Sequence, residues 1–192
     1  MRHEQPRFRA NGPDQPLLQD SLRCGAQASA PGFAVCYSAR ALPAYRFLPG
    51  RDPHPTADPR GHSVDSAPWF EIGGCAPADW ADCAPYLYGV DCFNHGFWWE
   101  SHEAWEPLWR GLDSESVQGH YVQGLIQAAN ALLKRRMGRP SAVARLRRET
   151  RRHLEWVSVA RYMGLEVVAW RAGIDHCLGQ PGAGFPGIYL HA

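Results

Sequence analysis

The stretch FNHGFWWESHEAWEPLW, residues 93–109, decides how this chain is read. It holds four tryptophans, two histidines and three glutamates in seventeen residues. Buried carboxylates are costly unless paired, so the polar groups among these rings form either a site or a hydrogen-bonded peg in a small core. At 100 degrees per residue, Trp98, Trp105 and Trp109 share one face, with His102 about 40 degrees and Glu106 about 80 degrees from Trp98. Glu103 and Arg110 fall on the flank, and Glu100 and Pro107 point the other way. The spacing therefore predicts a buried His102 with Glu106 one turn below it.

The pattern H-E-x-x-E is similar to the metalloprotease pattern H-E-x-x-H, with glutamate in place of the second histidine. Side chains at i and i+4 converge, so His102 and Glu106 could hold one divalent metal ion. Further ligands would come from His95, His120, His153, His54 or His62. A histidine–glutamate hydrogen bond inside a tryptophan-rich core explains the pattern equally and is the commoner outcome.

Working outward, the chain changes character near residue 77. Ten of its sixteen prolines precede residue 70, and each restricts its own φ and disfavours helix in the residue before it. Residues 1–40 read as disordered, and 41–76 as an irregular proline-rich arm with apolar anchors Tyr45, Phe47, Leu48, Trp69 and Phe70. From 77 to 180 the pattern is helical: helices are predicted over 77–93, 97–110, 115–137, 140–162 and 165–178, broken at Asn94–Gly96, Gly111, Gly138 and Gly164. Pro140 suits the first turn of its helix. Residues 181–192 read as a tail with an apolar anchor at its end. The fold class is all-α, a compact bundle of about five helices with short antiparallel connections.

At 192 residues and a formal net charge of +1, the chain has no strong overall pull on nucleic acid or membrane. No segment has eighteen consecutive apolar residues, and MRHEQPRFRANGPDQ has no apolar run of a signal peptide, so a cytoplasmic location is expected. Six cysteines without a C-x-x-C pair read as reduced, small apolar residues. No phosphate-binding loop, dinucleotide fingerprint or nucleophile elbow is present.

The aromatic stretch, followed by YVQGLIQAANALLKRRMG, resembles the family called domain of unknown function 309. The residues that carry the resemblance are Phe93, Asn94 and Gly96, then Trp99, Glu100, His102, Glu103, Glu106 and Trp109, then Gly124, Leu125, Ile126 and Gln127. The arm YRFLPGRDPHPTADPRGHS looks like the N-terminal extension of some members. The resemblance covers about 85–160 and implies a small all-helical bundle without an established activity. Where the family usually has a glycine–asparagine turn before the next helix, this chain has Gly138, Arg139 and Pro140.

Gln127 lies amid apolar neighbours and needs partners if buried. If its helix pairs antiparallel with the aromatic one, Gln127 reaches His102, Glu103 or Glu106, and Asn94 joins from the turn. The expected functional centre is therefore His102, Glu103 and Glu106 as catalytic groups, with His102 and Glu106 as the metal ligands or acid–base pair and Glu103 supporting them. Asn94, Trp109, Gln127, His54 and His62 are the ligand-binding candidates, the last two on the arm if it docks there. The first function is a metal or small-ligand site with hydrolytic chemistry. The alternative is a non-enzymatic interaction module. In it the cluster is structural, and Arg145, Arg148, Arg151 and Arg152 on the fourth helix contact RNA or a protein partner. A solvated arginine face is the commoner reading there, and self-association of the chain is compatible with either function.

Overall fold

The computed structural model describes residues 36–64, 66 and 68–191. The disordered segment expected over 1–40 lies mostly outside the described residues. From Pro77 onward the chain is helical. A 3-10 turn at Pro77–Asp82 leads into α1 (Ala84–Asn94), then α2 (Trp98–Arg110), α3 (Val117–Arg136), α4 (Pro140–Leu154) and α5 (Val167–Gly179). A short antiparallel hairpin, β1 (Arg161–Tyr162) and β2 (Leu165–Glu166), stands before α5. The helices stack in chain order, α1 on α2, α2 on α3, α3 on α4 and α4 on α5. Among the described residues no helix is long and apolar enough to cross a membrane.

The helix boundaries follow local chemistry. Ser116 caps α3 by accepting the Gly119 N–H, and the Ser116 side chain thereby satisfies one of the free donors of the first turn. Pro140 stands at the first position of α4, where its missing N–H costs nothing. Two boundaries differ from the sequence reading. The first predicted helix breaks at Cys83, whose ψ of 86° ends the 3-10 turn before Ala84. The fourth ends at Leu154 and not at 162. There Trp156 leaves the helix to stack on His120, ring centroids 4.2 Å apart. The β-branched Val157 and Val159 follow, and Met163 and Gly164 close the hairpin with positive φ.

The core is built on Tyr86, Val90, Phe93, Trp105, Leu108, Tyr121, Leu125, Leu132, Leu154 and Ile174. At its centre Tyr86 and Tyr121 share a hydrogen bond of 2.8 Å, and Tyr86 also donates to the Met163 carbonyl. The Trp105 indole donates to the Tyr86 carbonyl across the α1–α2 contact. That contact is close because Gly89 presents no side chain to Trp105.

Two of the cysteines correct the reduced reading: Cys75 and Cys83 form a disulfide, their Cα atoms 6.0 Å apart. Cys36 is also disulfide-bonded. The 3-10 turn folds Cys83 back onto the end of the arm, a proximity that spacing in the sequence does not reveal. Cys92 and Cys177 are free and buried, and burial pushes the Cys92 thiol well above its ordinary range.

The tail is anchored as expected, although at Ile188 more than at the terminus. Ile188 is fully buried, Leu190 bridges to Leu165, and the Leu190 N–H bonds the Tyr37 hydroxyl.

A Gly89→Ala substitution should place its methyl group against the Trp105 indole and cost about 1–3 kcal/mol. Urea denaturation monitored by tryptophan fluorescence measures the loss.

Candidate functional site

Helix α2 carries the candidate site residues, but its buried side is not the one predicted. The buried residues are Glu100, Ser101, Ala104, Trp105 and Leu108, so the helix is rotated toward Glu100. The reason is the arm. One flank of α2 packs on α1 and α3 through Trp105 and Leu108, while the flank bearing Trp99, Glu100 and Ala104 is covered by arm residues Phe47, His62, Trp69 and Phe70. His102 is consequently half-exposed, with a side-chain exposure of 26% against 34% for Glu103.

His102, Glu103 and Glu106 do lie together. His102 Nδ1 is 3.2 Å from a Glu103 carboxylate oxygen. One ligand atom from each of the three lies within 4.8 Å of the others. Glu106 is also bonded at 2.6 Å by Arg110 one turn on. The other partners predicted for this group are elsewhere. Asn94 clamps the tail, its amide exchanging two hydrogen bonds of 2.7 and 2.8 Å with the Ile188 backbone. Gln127 is half-buried on α3 and makes no hydrogen bond to His102, Glu103, Glu106 or Asn94 among the described residues. Trp109 packs partly buried against the core.

The histidines offered as distant ligands have other partners too. His95 Nδ1 lies 2.8 Å from the Asp91 carbonyl. His120 and His153 join α3 to α4 through an Nδ1–Nδ1 contact of 2.9 Å. That contact requires one ring to carry its proton on Nδ1 and the other to leave Nδ1 bare. His54 takes the Thr56 and Ala57 N–H groups into its ring nitrogen and packs edge-on against Phe47 and Trp99.

The arm brings a second set of polar groups to α2. Glu100 Oε1 accepts the Phe47 N–H at 2.8 Å and lies 3.2 Å from His62 Nε2, while Glu100 Oε2 is buried without a partner. His62 Nδ1 in turn lies 2.7 Å from the Ser63 hydroxyl. The Glu100 and His62 side chains are 0% and 3% exposed. Tyr45, Trp69 and Trp99 surround the His62 ring at centroid distances of 4.6, 6.1 and 6.5 Å. The loop that presents His62 and Ser63 is tight. The Ser63 N–H donates to the Pro55 carbonyl, and a Cβ at Gly61 would overlap that same carbonyl. Asp91 on α1 holds the start of the arm in the same way, accepting the Tyr37 N–H and both the N–H and hydroxyl of Ser38. Burial pushes the Asp91 carboxyl above 3.8, and these bonds pull it back.

Between arm and helix lies a cavity of about 310 Å³. Trp69, Phe70 and Trp99 make its apolar wall, and Glu103, Glu106, Arg110, Thr56, Ser63 and Ser66 supply polar groups. Its size falls at the low end of small-molecule sites. Sequence reasoning named His62 and missed Glu100 and Ser63. The available signal was a histidine–serine pair in a proline-set loop, which says nothing of its partner until the loop is docked.

The arginine face on α4 is partly spent. Arg151 and Arg152 pair with Glu155 and Glu149, while Arg145 and Arg148 are exposed.

Replacing Glu100 by alanine should leave the Phe47 N–H and the buried His62 Nε2 unpaired and cost about 3 kcal/mol, with faster limited proteolysis of the arm. At the α3–α4 seam, burial, Arg152 and His120 hold His153 below its ordinary pKa of 6.5. The folded state therefore resists the proton that the unfolded chain accepts. Stability is full above about pH 6.5 and falls as pH drops through the folded-state value. Urea midpoints from about pH 8 to 5 should show that loss, and His153→Gln should remove its share.

No curated protein matches the chain significantly. Residues 86–146, which run from α1 to the middle of α4 and include all of α2 and α3, match the model of the family described as Domain of unknown function (DUF309), the family that the sequence resembles.

Proposed function

We propose that the cavity between arm and α2 is a small-ligand site and that His102, Glu103 and Glu106 hold a divalent cation at its edge. The observation that carries this reading is one of position. Three ligand atoms converge within 4.8 Å on one turn of α2, and two of the three residues, Glu103 and Glu106, also line the cavity. One imidazole and two carboxylates suit zinc, iron or manganese. Three protein ligands leave coordination positions for water and substrate. The half-exposure of the group lets an ion enter. A divalent ion held by these residues would supply Lewis acidity and an activated water, which is the basis of the hydrolytic reading. Arg110 competes for Glu106 and would have to release one carboxylate oxygen.

The alternative, an interaction module using the α4 arginines, has less behind it, because two of the four are already paired with glutamates on their own helix or just beyond it.

Isothermal titration of metal-stripped protein with manganese and zinc tests the proposal. One ion per chain should bind the wild type, and His102→Ala should weaken binding by more than about tenfold, since even outer partners of a metal site cost that much. Equal binding by wild type and His102→Ala, or no binding by either, defeats it.

A further inference from the structure

The cavity has a second chemical feature in its lining. Ser63 lines it, and behind Ser63 stand His62 and Glu100 in a row. The Ser63 hydroxyl is 2.7 Å from His62 Nδ1, and His62 Nε2 is 3.2 Å from Glu100 Oε1. A carboxylate oxygen only accepts, so the neutral imidazole carries its proton on Nε2 and leaves Nδ1 bare towards the Ser63 hydroxyl. This is the arrangement that activates a hydroxyl: a nucleophile within hydrogen-bond reach of a base, and the base oriented by a third group. Such a set is recognised by geometry and role, not by order in the chain. The ring is used with its two nitrogens exchanged relative to a serine protease, but either nitrogen is a competent base when the other is held.

We propose that Ser63, His62 and Glu100 form a nucleophile–base–carboxylate triad that hydrolyses small carboxylic esters in this cavity. The proposal rests on reading the cavity as a ligand site, but not on a metal ion. Ser63 Oγ attacks the acyl carbon as its proton passes to His62 Nδ1, and Glu100 stabilises the imidazolium through Nε2–H. The ester C–O bond breaks, and the alcohol leaves with the proton from Nδ1, so that Ser63 carries the acyl group. A water molecule then gives a proton to Nδ1 and its oxygen to the acyl carbon. The bond to Oγ breaks, Oγ recovers the proton from Nδ1, and the carboxylic acid departs. The Ser66 hydroxyl and the Arg110 guanidinium are donors on the cavity wall for the negative oxygen that develops. Trp69, Phe70 and Trp99 select esters with a flat or apolar group. Ser63 and His62 are the catalytic residues. Glu100 positions His62, and because it also anchors the arm through Phe47, the test does not depend on replacing it.

The test uses the full chain and a fluorophosphonate, which modifies serine hydroxyls that a neighbouring base activates, read by peptide mass mapping. One label per chain is expected on the peptide holding Ser63, at an unchanged rate when a chelator is present. Ser63→Ala should remove it with little change in Tm. His62→Gln should slow it by about 100-fold, the usual contribution of a general base. Wild-type protein that never labels at Ser63, or folded Ser63→Ala that labels at the wild-type rate, overturns the triad. Labelling at Ser63 in protein that binds no metal removes the cation proposal alone, and metal binding without labelling removes the triad alone.

Discussion

The carboxylate of Glu100 is the point at which arm and bundle are joined. It sits on α2 with no exposure to water, and its two hydrogen-bonding partners, the Phe47 N–H and His62, come from the arm. A buried carboxylate without such partners would cost several kcal/mol, so the helical domain is not a closed unit that the arm decorates. Asp91 repeats the device one helix earlier with Tyr37 and Ser38. Two acidic residues on neighbouring helices thus grip backbone N–H groups of an irregular segment, which has few partners of its own to offer them.

This joint explains the rest of the site. With the arm in place, α2 is covered on two flanks, and the strip bearing His102, Glu103 and Glu106 stays half-open. The arm does not seal against that strip: the gap is the cavity, lined by the Glu103 and Glu106 carboxylates of α2 and by Ser63 of the arm. The cysteine pair 75–83 fixes the end of the arm to the entry of α1, and Asn94 fixes the tail at the other end of that helix through Ile188. The site is therefore held by three irregular connections around one regular helix.

The fold was largely legible because it rests on local patterns. Apolar residues at helical spacing, glycines at 111, 138 and 164, and Pro140 place the helices within a few residues, and hydrophobic burial then forces such helices together. The exceptions were the start of α1, where a 3-10 turn precedes the helix, and the end of α4. There the pull of His120 on Trp156, a tertiary contact, overrode a continuous apolar pattern. The His102–Glu103–Glu106 group was legible for the same reason as the helix, since residues at i, i+1 and i+4 are brought close by the backbone alone.

What the sequence determined by itself is thus the helical bundle and any cluster contained within one helix, because both follow from chain geometry over a few turns. Tertiary structure alone decided the face of α2 that is buried, the role of Glu100, the clamp at Asn94 and the meeting of Ser63 with the cavity. Those depend on an arm without periodicity, whose proline-set turns determine its local shape but not the surface on which it lies. On α2 about 160 degrees separate the expected buried histidine from the observed buried glutamate. Only the free energy of covering a second flank chooses between them.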